Sequence, residues 1–145
     1  MATQKTASAT WEGTLAEGSG QVSLGSGAAN DLSVSWQDRA EEGEGTSPEE
    51  LIAGAHASCV LMALAAGLAR AGTPPTRLES EARTTFDKVG EGFAMTKIEL
   101  TIRGQVEGMD ENAFREAAEG AKENCPVSQA LSGNVEITLD ASLSL

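Results

Sequence analysis

The 145-residue chain is poor in aromatic and in basic side chains. It has no tyrosine, two tryptophans and three phenylalanines, so its core has to be built from Val, Ile, Leu, Ala and Met. Ten Lys and Arg stand against 22 Asp and Glu, which gives a formal net charge of −12. Such a surface repels a phosphate backbone and an anionic bilayer, so we expect neither nucleic acid nor a membrane as a partner.

Cysteine is also scarce, and the start of the chain lacks a long apolar run. Two cysteines are too few for the disulfide framework of a small secreted protein. The first residues contain no stretch of about 7–15 apolar side chains, which a signal peptide would need. We therefore expect a cytoplasmic protein, in which thiols stay reduced unless their oxidation is part of the function.

Length and patterning predict a single domain over residues 1–145 with an α+β fold. One core serves a chain of roughly 100–200 residues, and it needs no disulfide or metal. Alternating residues predict a third strand over residues 32–36, followed by an acidic loop over residues 37–46. The predicted order is βββ-α-ββ-αα-β. Because hairpins replace βαβ crossovers in this order, we expect an antiparallel sheet.

The helix predicted over residues 48–71 is the longest element. Ser47 suits its N-cap, Pro48 its first position and Glu50 the position that closes a capping box. Residues 51–69 carry no charge and reach the length of a membrane span. Seven alanines, two glycines and the lack of flanking aromatic or basic clusters argue against a span. We expect a long buried central helix instead.

Cys59 and Cys125 are candidate reactive residues. A cysteine in the middle of a helix, such as Cys59, commonly packs as a small hydrophobic residue. Cys125 directly precedes Pro126 at a helix start, where the helix dipole favours a thiolate. The pair is not a CxxC motif, which disfavours thioredoxin-type exchange. Two distant thiols suit peroxide chemistry, in which one becomes a sulfenic acid and the other resolves it as a disulfide.

Three polar side chains are candidates to assist a thiol, and each has a structural alternative. Arg39 has a planar fork that suits a peroxide, or it pairs with an acid of its own loop. His56 precedes Cys59 by three residues and is either a base or a hydrogen-bonded core histidine. Glu49 favours the helix dipole or orients an arginine. A zinc site of His56 and both cysteines lacks a fourth ligand, so no metal is expected.

Three sequence segments together resemble the OsmC and Ohr family, the osmotically inducible protein C and organic hydroperoxide resistance proteins. They are residues 45–52 (GTSPEELI), 55–59 (AHASC) and 124–129 (NCPVSQ), and the hairpin 87–93 (DKVGEGF) adds to them. His56, and an arginine placed in the loop before the helix, are closer to the OsmC branch. The resemblance implies a thiol-dependent hydroperoxide reductase that forms an intertwined α+β homodimer.

The same resemblance implies a role for each candidate residue. Cys59 would be the peroxidatic cysteine and Cys125 the resolving one, joined in an intramolecular disulfide, with Arg39 and Glu49 as polar partners. The implied substrates are organic hydroperoxides, with hydrogen peroxide as a second candidate. The implied reductant is a dithiol, and no cofactor is involved. Two alternatives stay open: a thiol-based sensor or binding protein without turnover, and a structural dimer with inert cysteines.

Helix geometry predicts that Glu49 acts on the thiol of a second chain. Glu49 and Cys59 are ten residues apart, which on one helix means about 15 Å of rise and roughly 80° of rotation. No side chain spans that distance. A second copy of the helix, packed antiparallel on the Ala- and Gly-rich surface, would bring Glu49 of one chain toward Cys59 of the other. A twofold dimer would then contain two such composite sites.

Overall fold

The structure is a computed structural model, and it describes residues 1–144. The chain divides into two compact units, one of residues 1–51 and one that begins at Ile52. Each unit has its own three-stranded sheet. The fold is therefore α+β, with a short extra helix: the observed order is βββ-αα-ββ-αα-β. The single domain over residues 1–145 stays a prediction.

The first unit is an antiparallel sheet followed by a helix that the sequence pattern did not predict. Its strands are β1 (Ala7–Glu12), β2 (Ser19–Leu24) and β3 (Leu32–Val34), in that spatial order. Helix α1 (Trp36–Ala40) then occupies residues expected as strand end and loop. Ser35 is the reason, because its hydroxyl accepts a hydrogen bond from the Asp38 N–H at 3.1 Å and caps α1.

Helix α2 (Pro48–Arg70) begins as predicted, with one change in its capping bonds. The Glu50 N–H donates to the Ser47 hydroxyl at 3.1 Å, so Ser47 is the N-cap. The Glu50 carboxylate accepts from the Thr46 hydroxyl at 2.6 Å, which replaces the return bond of a capping box. At the other end the chain leaves the helix through Gly72, whose φ of +86° is a left-handed conformation that favours glycine.

The expectation of a helix buried on all sides is wrong for the single chain. From Ile52 onward, α2 buries one stripe at every fourth residue, namely His56, Val60, Leu64 and Leu68. Met62, on another face, is 73% exposed. By length and composition alone α2 is apolar enough to cross a membrane. The other faces of α2 carry mostly small side chains, and the described residues of this chain leave much of that surface exposed.

The second unit contains a mixed sheet, which corrects the predicted antiparallel one. Strands β4 (Arg77–Val89) and β5 (Gly92–Gln105) form the predicted antiparallel hairpin. Strand β6 (Glu136–Leu143) pairs with β5 in parallel. The reason is the connection: two helices lie between β5 and β6 and return the chain to the same end of the sheet, as a crossover does.

Helices α3 (Glu111–Asn124) and α4 (Pro126–Leu131) form that connection. The buried stripe of α2 packs in one core with β5 and α3, and the core is almost entirely aliphatic. Its largest members are Leu64, Leu68, Ile98, Leu100, Ile102 and Phe114. Cys125, between α3 and α4, is part of the same core and is fully buried. The core therefore fixes the position of one of the two candidate cysteines.

Candidate active site

In the first unit, Arg39 and Glu49 form a two-pronged ion pair. The Arg39 Nε donates to Glu49 Oε1 at 2.9 Å, and its Nη2 donates to Oε2 at 2.8 Å. The Glu49 side chain is only 11% exposed and that of Arg39 is 34% exposed. The hydrogen bond with Glu49 raises the pKa of Arg39. Arg39 thus pairs with Glu49 in the first turn of α2. This agrees with the reading of Glu49 as a residue that orients an arginine.

An apolar cavity of about 610 Å³ lies in the same unit and includes Arg39 in its wall. The other walls come from the sheet and from the starts of the two helices. The largest lining side chains are Trp11, Leu15, Val22, Val34, Trp36 and Leu51. A cavity with one charged group in an otherwise apolar wall suits a ligand with a polar head and a hydrocarbon body.

In the second unit, the two cysteines meet although they are far apart in sequence. Both are free thiols; Cys59 is half-buried and Cys125 is fully buried. They lie close enough that each shifts the pKa of the other. Cys125 is the N-cap of α4, as predicted from Pro126. The fold therefore brings the two predicted thiols together between α2 and α4.

The two thiols have opposite pKa shifts. Burial raises the pKa of Cys59, and the neighbouring Cys125 raises it further. Burial also opposes ionisation of Cys125, but the Ser128 N–H and hydroxyl and the Cys59 thiol together hold the pKa of Cys125 below its usual value. Within one chain the thiolate is favoured at Cys125, not at Cys59 as a peroxidatic role would require.

Ser128 is the residue of this site that the sequence reasoning missed. The Nε2 of His56 and the Ser128 hydroxyl oxygen are 2.7 Å apart, and both residues are buried. Burial lowers the pKa of His56, which keeps the ring neutral. The signal for Ser128 was its position three residues after the N-cap Cys125, where side chains of one helical turn are neighbours. Of the two readings of His56, the hydrogen-bonded core histidine describes its surroundings.

Residues 41–140 match the family of OsmC-like proteins. The chain belongs to the OsmC-like family. It is 44% identical to peroxiredoxin OsmC of Escherichia coli K12 over 143 residues, which are 99% of each chain. It is 32% identical to an organic hydroperoxide resistance protein of Xanthomonas axonopodis pv. citri over 98 residues, 67% of each chain.

Solved structures of the family share the fold. The organic hydroperoxide resistance protein OhrB of Bacillus subtilis superposes with a TM-score of 0.74 at 26% identity, over 94% of this chain and 98% of that chain. The resemblance predicted from the motifs is thus confirmed, as is an α+β fold. The names of the relatives support a peroxide-related role for the family member described here.

The depressed pKa of His56 predicts a pH-dependent stability. The unfolded chain binds a proton on this ring below its ordinary pKa of 6.5, whereas the folded chain resists it. The free energy of unfolding should therefore fall as the pH drops below 6.5, by up to about 1.4 kcal/mol per pH unit from this one group. In His56→Gln this part of the slope should vanish. Urea unfolding of both proteins between about pH 7.5 and pH 5 measures it, and equal slopes would refute the assignment.

Proposed function

We propose that the protein is a thiol-dependent peroxidase that reduces organic hydroperoxides, and also hydrogen peroxide, in the cytoplasm. The observation that carries this proposal is the proximity of the Cys59 and Cys125 thiols where α2 meets α4 through the His56–Ser128 contact, since each thiol shifts the pKa of the other. Membership of the OsmC-like family and the names of the relatives point to the same substrate class. The reaction needs a dithiol reductant and no cofactor.

The different surroundings of the thiols support separate roles in the reaction. Cys59 is the accessible sulfur, so its thiolate attacks one peroxide oxygen, the O–O bond breaks and the alcohol leaves with a proton. Cys59 then carries a sulfenic acid. Cys125 is buried and its thiolate is favoured, so it attacks the Cys59 sulfur, expels water and closes a disulfide. A dithiol reduces this disulfide and returns both thiols.

The first of these steps needs a positive charge that the surroundings of Cys59 do not supply. Among the described residues, the groups that shift the pKa of Cys59 include no cation, and their net effect is to raise it. Arg39 is the candidate, and its ion pair with Glu49 means that the two move together. A guanidinium near the thiol would hold both the thiolate and the peroxide.

A homodimer would bring the Arg39–Glu49 pair to the thiol. Glu49 and Cys59 are ten residues apart on the continuous helix α2, so about 15 Å of rise separates them. The face of α2 that carries Gly54, Ala55, Ser58 and Met62 is exposed in the single chain and would accept a second α2 at close range. The pair of one chain would then serve Cys59 of the other, and its apolar cavity would receive the hydrocarbon part of the peroxide.

Single-cysteine variants test the assignment of the thiols. Cys59→Ser should abolish consumption of cumene hydroperoxide in the presence of dithiothreitol, because the attacking sulfur is gone. Without dithiothreitol, which would reduce a sulfenic acid directly, Cys125→Ser should consume one equivalent and stop at a sulfenic acid, detected by mass spectrometry after trapping with dimedone. Equal turnover in Cys59→Ser and the unmodified protein would contradict the assignment. One stoichiometric oxidation without turnover in the unmodified protein would support the sensor alternative.

Replacement of Arg39 tests the source of the positive charge. Arg39→Ala should lower kcat/KM for the hydroperoxide by about 10- to 100-fold, the effect of losing a charged hydrogen bond. It should also raise the pH midpoint of Cys59 alkylation. Arg39→Lys should rescue in part, since an ammonium lacks the two-pronged fork. Arg77→Ala is the control, because Arg77 forms an exposed pair with Glu79. An unchanged alkylation midpoint in Arg39→Ala would exclude the role.

Mixed dimers test whether the site is shared between chains. Cys59→Ser and Glu49→Gln subunits should each be poorly active alone. In a heterodimer one site carries both substitutions and the other carries neither, so about half of the unmodified activity should return. Differently tagged subunits, purified by both tags, allow the measurement. No recovery in verified heterodimers would remove Glu49 of a second chain from the mechanism.

A further inference from the structure

Helix α2 and the first turn of α4 meet through two neighbouring pairs of side chains. One pair is Cys59 with Cys125 and the other is His56 with Ser128. His56 and Cys59 are three residues apart on α2, so they are neighbours on one face of that helix. Cys125 and Ser128 have the same spacing at the start of α4. The hydroxyl of Ser128 is 2.7 Å from the His56 ring. It is also one helical turn from Cys125 and lowers the pKa of that thiol.

The buried polar atoms fix the direction of the hydrogen bonds. The Nδ1 of His56 has no hydrogen-bond partner among the described residues, and a buried N–H without an acceptor is unfavourable. The proton of the neutral ring is therefore on Nε2, which donates to the Ser128 oxygen. The Ser128 hydroxyl hydrogen is then free to donate to the Cys125 sulfur. The result is a chain of donors that ends on Cys125 and favours negative charge there.

We propose that the His56–Ser128 pair makes Cys125 the leaving sulfur when the Cys59–Cys125 disulfide is reduced, so that the reducing thiol attacks Cys59. This inference rests on the disulfide of the proposed function. His56 and Ser128 act as positioning residues, because neither touches the peroxide or the reductant. They hold the donor that receives the charge of the departing sulfur.

The electron balance of the step is that of thiol–disulfide exchange. The thiolate of the dithiol attacks the Cys59 sulfur, the Cys59–Cys125 bond breaks and its electron pair goes to Cys125 as a thiolate. In the mixed disulfide, the first sulfur of the reductant is bonded to Cys59. The second thiol of the reductant attacks that first sulfur and releases Cys59. The dithiol becomes a cyclic disulfide, and the two cysteines regain two electrons. The sulfur whose thiolate is better stabilised leaves faster, which here is Cys125.

Access favours the same direction of attack. Cys59 is only half-buried, so a peroxide or a thiol can reach its sulfur. Cys125 has no exposed surface and belongs to the same buried core as Phe114, Ala118 and Ala121. A reductant cannot approach the Cys125 sulfur without opening that core. Leaving-group stability and steric access thus agree on Cys59 as the attacked sulfur.

Mapping of the mixed disulfide tests the proposal directly. The disulfide is generated with diamide, which needs no peroxide, and is then treated with glutathione, a monothiol that stops at the first exchange. After acid quenching, peptide mass spectrometry should find the glutathione adduct on the Cys59 peptide. An adduct mainly on Cys125, or no intramolecular disulfide after diamide, would overturn the proposal. Peroxide turnover is measured separately, so a failure of the proposed function is distinguished from a failure of this inference.

Variants of the buried pair test the part played by His56 and Ser128. Ser128→Ala and His56→Leu should slow reduction of the disulfide by about three- to tenfold, and should shift part of the glutathione adduct to Cys125. Ser128→Thr keeps the hydroxyl and His56→Gln keeps an N–H donor. Both variants should therefore retain the unmodified rate of disulfide reduction and the adduct on Cys59. Ser132→Ala, on the exposed end of α4, is the matched control. Unchanged rates and adducts in Ser128→Ala would overturn the role of the pair.

Discussion

The contact between α2 and the first turn of α4 is the constraint on which the chemistry of this chain depends. It brings together two thiols that no local sequence pattern places side by side, and it supplies a second pair, His56 and Ser128, that fixes the register of the contact. Pro126 begins α4 immediately after Cys125, so the thiol cannot move without moving the helix start. The aliphatic core below holds both helices in place.

The opposite pKa shifts of the thiols follow from this arrangement. Two interacting thiols share the cost of ionisation, so stabilising a thiolate on one raises the pKa of the other. The donors at Ser128 lie on the side of Cys125, and the charge goes there. Cys59, the sulfur proposed to attack the peroxide, is therefore left without a stabilising charge among the described residues. The chain has only ten Lys and Arg side chains. In the proposed mechanism, Arg39, held by its two-pronged pair with Glu49, would supply that charge.

Local signals in the sequence predicted local features correctly. Ser47 and Pro48 gave the start of α2, the hairpin of β4 and β5 followed from alternation, and Pro126 placed Cys125 at an N-cap. Non-local features were not predicted. The parallel pairing of β6 depends on where two intervening helices return the chain. Helix α1 is the local exception, because its cap by Ser35 competes with the strand alternation that the same residues show.

The candidate site divides in the same way. Residue types and motifs selected Cys59, Cys125, Arg39 and Glu49 as candidate site residues, and their roles stay predictions. The pairing of these side chains could not be predicted from the sequence. Arg39 has several acids close to it in sequence, and it is the fold that brings Glu49 to it. Ser128 carries no chemistry that distinguishes it from other serines until a histidine on another helix lies 2.7 Å away.

The exposed faces of α2 connect the fold to the proposed source of positive charge for Cys59. A helix with a single buried stripe normally carries charged residues on its other faces, yet α2 has no charge between residues 51 and 69. Leaving small apolar side chains in water is unfavourable, and covering them is worth roughly 25 cal/mol per Å². In the proposed homodimer, a second α2 would match this surface in size and in its lack of charge. The same association would carry an Arg39–Glu49 pair to each Cys59, so burial of the helix and activation of the thiol would arise from one event.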